Sequence, residues 1–118
     1  MTDQVCVVVG GGKGMGAAIA REMKKRNYRL SLMSPSDNCE TLADELNGIA
    51  YRGRAENSRD TDNLIKFTME KFGRIDSLLI HVGGPPKGDL LAISEDDWKK
   101  ANEMVLMPVI RLSKLITP

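Results

Sequence analysis

The chain has 118 residues, 17 basic and 16 acidic side chains and a formal charge of +1, enough for one domain with its own core but not for a dinucleotide fold plus a separate substrate domain. The interspersed charges form no broad cationic face for nucleic acid or anionic lipid, so neither nucleic acid nor membrane is expected as a partner. No apolar run reaches the roughly 20 residues that cross a bilayer, and Met1-Thr2-Asp3-Gln4 lacks the basic-then-apolar pattern of an export signal, so the expected location is cytoplasmic.

Residues 4–9 read as a buried strand, carried by Val5-Cys6-Val7-Val8-Val9, and lead directly into Gly10-Gly11-Gly12-Lys13-Gly14-Met15-Gly16. The following helix carries Met15, Ile19 and Met23 on one stripe, has Lys24, Lys25 and Arg26 at its dipole's negative end, and is expected to stop before Tyr28. Residues 29–33 form a second strand. A second helix starts near Asp37, which makes a capping-box pattern with Glu40; it buries Leu42, Ala43 and Leu46 and is stopped by Gly48. Residues 48–52 give a third, weaker strand.

A third helix is expected over 61–72, with Leu64, Ile65, Met69 and Phe72 inward and Gly73 as its stop. Residues 77–81 read as the fourth strand, followed by the strongest loop signal, Gly83-Gly84-Pro85-Pro86-Lys87-Gly88. Ser94 and Asp97 make a second capping pattern that opens a fourth helix carrying Trp98, Ala101, Val105, Val109 and Leu112, with a kink expected at Pro108.

Strands alternating with helices imply an α/β fold, a Rossmann-like doubly wound parallel sheet with right-handed crossovers. Four strands with flanking helices and no strand after the fourth helix make residues 1–118 look like the first half of such a sheet, a nucleotide-binding domain in which ligands sit at the strands' C-terminal ends. Cys6 and Cys39 form no C-x-x-C pair, and the single His81 has no metal-ligand spacing around it, so no metal is expected and both thiols read as reduced packing residues.

The glycine run carries the chemistry. Glycine tolerates positive φ in the turn and lets the backbone approach a pyrophosphate, while the unpaired amides of the next helix face the anion. Spacing alone also admits the register Gly12-x-Gly14-x-x-Ala17, but Gly10 directly abuts Val9, which favours the register beginning at Gly10. No Gly-Lys-Ser or Gly-Lys-Thr follows, which disfavours a phosphate-loop NTPase.

In this register the chain resembles the short-chain dehydrogenase/reductase family, and its 3-oxoacyl-(acyl-carrier-protein) reductase-like members in particular. The family's T-G-x-x-x-G-x-G falls on Val9, Gly10, Gly14 and Gly16. Its N-N-A-G falls on Ile80, His81, Val82 and Gly83, and Phe72-Gly73-Arg74-Ile75-Asp76 looks like the usual lead-in to that strand. The resemblance covers the whole chain but only the front half of a family member. It implies that the catalytic Ser and Tyr-x-x-x-Lys lie beyond Pro118, since Tyr28 is followed four residues later by Leu32 and Tyr51 by Ala55.

The resemblance places cofactor contacts on Gly10, Gly12, Lys13, Gly14, Met15 and Gly16 of the turn. It adds Ser34 at the end of the second strand, Arg54 and Ala55 after the third, and His81, Val82 and Gly83 after the fourth. Ser34, where an acidic residue would bind the ribose of NAD, carries no charge to repel an added phosphate. Lys13 resembles the basic residue of NADP-preferring members, so NADP is favoured and NAD is the alternative, kept open by Asp37. His81 reads as a packing or hydrogen-bonding residue, and no catalytic residue is assigned within the chain.

The function the resemblance implies is NADP(H)-dependent reduction of a small-molecule carbonyl, or oxidation of the corresponding hydroxyl, with this chain as the cofactor-binding half of the oxidoreductase, which is expected to form a homo-oligomer. The alternative is a nucleotide-binding regulatory or scaffold protein without catalysis, suggested by Val9, Ile80, His81 and by Val105 where relatives carry an Asn.

Overall fold

A computed structural model describes residues 4–12, 14–81 and 91–117. Four parallel strands, β1 (Val5–Val9), β2 (Arg29–Ser34), β3 (Ile49–Arg52) and β4 (Ser77–Ile80), form one sheet in the order β3-β2-β1-β4. The expected Rossmann-like sheet is therefore present. The switch point falls at β1, whose neighbours are β2 on one side and β4 on the other, with Val9 paired to Met33 and to Ile80.

All of β1 is buried, which explains its unbroken apolar run: a central parallel strand is covered on both faces. Cys6, Val8, Leu30 and Leu32 point to the face covered by α1 (Gly14–Lys25) and α2 (Asn38–Leu46). Val7, Val9 and Met33 point to the other face, covered by α3 (Ser58–Phe72) and by α5 (Met107–Ile116) through Leu112.

Several boundaries and faces depart from the sequence expectation. α1 does not bury a Met15-Ile19-Met23 stripe: Met15 is 64% exposed, and Gly16, Ala17 and Ala20 make the contact with the sheet. Small residues occupy this face because the helix lies close against the glycine turn. The Asp37 and Glu40 capping box does not form either; the Asp37 side chain makes no cap bond, and the hydroxyls of Ser36 and Ser34 accept from the amides of Asn38 and Cys39 at 3.3 and 3.1 Å. α2 stops on Asn47 in the left-handed region (φ 54°), one residue before the expected Gly48.

α3 begins three residues earlier than expected, because the side-chain oxygen of Asn57 accepts from the amides of Arg59 and Asp60 at 2.9 and 3.1 Å. Met69 is 45% exposed, and the inward positions go to Thr61, Leu64, Ile65 and Thr68.

Ser94 caps α4 (Glu95–Ala101) as expected, accepting from the Asp97 amide at 3.1 Å. At Pro108 the disturbance takes the form of a π turn over Asn102–Leu106, in which the Met107 amide reaches back to the Asn102 carbonyl. The wider turn accommodates a residue that has no amide hydrogen to give. Trp98, Val105 and Val109 are exposed, while Pro108 and Leu112 are buried.

Candidate nucleotide-binding site

The β1–α1 turn is anchored to β2: the amides of Gly10 and Gly11 both donate to the Met33 carbonyl, at 2.8 and 3.1 Å. Gly10 has φ +85°, and a Cβ there would collide with the carbonyl of His81, which itself donates its amide to Val9 at 2.8 Å. The ends of β1 and β4 are thus locked together at backbone level. Gly14 also has positive φ (+62°), and among the described residues nothing beyond its chain neighbours and its own helix lies within 4 Å of where its Cβ would be. No acidic side chain stands in the first turn of α1, so the helix supplies no carboxylate of its own against its positive dipole end.

Beside this turn lies a half-open cleft of about 360 Å³, its solvent mouth included, lined by Val9, Gly10, Met33, Ser34, Pro35, Gly53, Ala55, Glu56 and His81. These residues all follow or end β1, β2, β3 or β4, which is where an open α/β sheet places its ligand. Gly10, Ser34, Ala55 and His81, expected at the site from sequence, share the cleft. Gly12 stands beside it, with its Cβ position 2.7 Å from the Asn38 Cβ and 3.0 Å from Ser34 Oγ. Met15 is exposed. Lys13, Val82 and Gly83 lie outside the described residues.

Ser34 differs from its expected role in one respect. Its hydroxyl is buried, donates to the Ser36 carbonyl at 2.9 Å and accepts from Cys39, so its one proton already serves the start of α2. Arg54 is exposed; its guanidinium meets Glu56 at 3.4 Å, and its amide donates to Asp60 at 2.9 Å. Arg52, paired in register with Ser34, reaches Glu40 at 2.8 Å, and that hydrogen-bonded carboxylate pushes the guanidinium further up from its ordinary pKa.

Met33, Pro35, Gly53 and Glu56 were not singled out from sequence. Their signal was positional, since each sits within a residue or a few of a strand's C-terminal end. The Glu56 main-chain carbonyl also accepts from Arg111 of α5 at 3.1 Å, a contact that no sequence signal marks.

A family model described as short chain dehydrogenase matches residues 4–118. The chain is 32% identical over 123 residues to Oxidoreductase UcpA of Escherichia coli (strain K12), covering 100% of this chain and 47% of that protein. It is 27% identical over 124 residues to a 3-oxoacyl-[acyl-carrier-protein] reductase of Synechocystis sp., covering 99% of this chain and 50% of the relative. The chain therefore spans about half the length of the curated relatives it matches.

Among solved structures, a variant actinorhodin polyketide ketoreductase with NADPH superposes with a TM-score of 0.88 at 23% identity, over 98% of this chain and 47% of that one. YwfH, an NADPH dependent reductase involved in bacilysin biosynthesis, superposes with a TM-score of 0.90 at 18% identity, over 98% and 49%. At these identities the likeness establishes the fold.

Proposed function

The chain belongs to the short-chain dehydrogenase family, and from that premise we propose that residues 1–118 form the cofactor-binding portion of an NADP(H)-dependent carbonyl reductase resembling the 3-oxoacyl-(acyl-carrier-protein) reductases. The observation that carries this reading is the Gly10–Gly16 turn, which delivers the acid-free N-terminus of α1 to the edge of the cleft, with open space around Gly14.

That arrangement fits a dinucleotide. The pyrophosphate would lie over Gly12, Lys13, Gly14 and Met15, against the first amides of α1, while Gly10 and Gly16 hold the turn flat enough for it to approach. Arg54 and Ala55 would border the adenine. His81, Val82 and Gly83 would present backbone to the nicotinamide-side ribose. When bound, the cofactor supplies or accepts a hydride. These residues only bind and orient it, because the Ser and the Tyr-x-x-x-Lys that the family resemblance implies are not among these residues.

Lys13 favours NADP by offering a cation to a 2′-phosphate, and the two reductases superposed above are NADPH proteins by their descriptions. Ser34 contributes by the absence of charge, its hydroxyl being engaged with Ser36. Asp37 supports the NAD alternative more than its sequence pattern implied, since its carboxylate makes no cap bond. Loss of catalysis with retained nucleotide binding is the second reading, supported by Val105 where the family resemblance implies an Asn. The proposal extends to a cytoplasmic homo-oligomer acting on a small-molecule carbonyl or hydroxyl; among the described residues, no helix is long and apolar enough to cross a membrane.

Fluorescence titration with NADPH and NADH tests the cofactor. Tighter NADPH binding that weakens on Lys13→Glu is expected. Equal binding of both nucleotides defeats the NADP preference, and binding of neither defeats the site.

A further inference from the structure

The cleft wall between β3 and α3 is held from beneath as well as from its own ends. Ala55 is buried in one cluster with Leu64 and Leu112, which seats this wall on α5. Next to Leu112, the Arg111 side chain is only 23% exposed; its Nη1 donates to the Glu56 carbonyl at 3.1 Å, across 55 residues of chain. Its Nη2 donates to the Glu103 carboxylate at 3.0 Å, and Glu103 lies inside the π turn.

The π turn makes this second contact possible. In a regular α-helix, residues eight apart are displaced by about 80° around the axis. A turn closed by i→i+5 bonds absorbs about one extra residue, so Glu103 comes round over Arg111. A planar guanidinium then serves two acceptors in fixed directions, which a single ammonium does not.

We propose that Arg111 is a positioning residue for the adenosine half of the dinucleotide, tying the Glu56 carbonyl to the π turn and so setting the height of the Ala55-Glu56 wall. It does so without touching the nucleotide. The inference rests on the cleft being the nucleotide site proposed above.

The test uses the full-length protein, titrated with NADPH, adenosine 2′,5′-bisphosphate and nicotinamide mononucleotide, with amide hydrogen exchange followed at residues 55–57. Arg111→Met is expected to weaken NADPH and the adenosine bisphosphate by roughly tenfold, as for loss of a charged hydrogen bond, to leave the mononucleotide unchanged, and to speed exchange in the wall. Arg111→Lys should recover part of the loss. Glu103→Gln, at an exposed carboxylate, keeps the Glu56 bond and should weaken the adenosine bisphosphate by about threefold, a smaller share of the same term.

Unchanged adenosine-side affinity in Arg111→Met, or an equal loss on both halves, overturns the proposal. If Arg111→Met does not fold, an unchanged Glu103→Gln overturns it instead. Wild-type protein that binds no dinucleotide removes the reading of the cleft and this role with it, whereas wild-type binding indifferent to both variants removes only the role of Arg111.

Discussion

Gly16 packs against the main-chain carbonyl of Gly10 so closely that no Cβ fits between them. The contact joins the first turn of α1 to the first residue of the glycine run, and both partners are backbone, so neither can swing aside. It therefore sets how near the helix amides come to the cleft.

Gly16→Ala should lower stability by about 3 kcal/mol, the upper end for overpacking a rigid contact, and abolish nucleotide binding by lifting α1 away. Gly14→Ala meets open space and suffers only left-handed backbone strain, about 1 kcal/mol. Urea unfolding of the two variants checks the order, and a Gly14 variant less stable than the Gly16 variant would contradict the packing.

Leu112 is fully buried against the Ala55 side of the sheet, so Leu112→Ala should cost about 2–5 kcal/mol through the cavity it leaves. Val105 is 39% exposed, and Val105→Asn should stay within about 0.5 kcal/mol of the parent. Thermal and urea denaturation of the pair would expose an error in either placement.

Asp76 accepts two bonds from Arg74, at 2.6 and 2.8 Å, and one from the Val5 amide at 2.8 Å. The Arg74 bond first, and the Val5 amide second, hold its carboxyl below the ordinary carboxylate range. A carboxyl depressed on folding stabilises the protein above its unfolded pKa, and that stabilisation disappears as pH falls through the folded pKa. Asp76→Asn should therefore melt below the parent at neutral pH, with the gap closing in acid; a gap that widens in acid would reverse the assignment.

Burial pushes the Cys6 thiol up to about 11, and Cys39 is fully buried. At pH 8 an aromatic disulfide reagent should label neither thiol in the folded protein and both after denaturant is added. Rapid labelling of either in the native state would place it nearer the surface.

The sheet and its order of elements were legible because hydrophobic period and length separate buried strands from amphipathic helices, and the glycine run marked the strand-to-helix corner. The details that escaped were set by tertiary contact. Met15 fits a helical stripe, but close approach of α1 to Gly10 reserves that face for Gly16, Ala17 and Ala20. Asp37 satisfied a capping pattern, yet the hydroxyl of Ser34 took the Cys39 amide it would have served. The side chain of Asn57 as the start of α3, and Arg111 beneath Glu56, depend on partners that spacing alone does not disclose.

Between β2 and α3 the hydroxyls of Ser31 and Thr68 meet at 2.6 Å in the buried interior. Thr68 donates its proton to the Leu64 carbonyl, so Ser31 must be the donor to Thr68. Hydrocarbon surfaces tolerate rolling; a directed bond does not. The roll of α3 is thereby indexed to β2, and the index carries along the helix to Asp60, which grips the Arg54 amide at the cleft's rim. A buried methyl in place of either hydroxyl would let the helix turn like an unkeyed shaft, and the opening above it would lose its calibration.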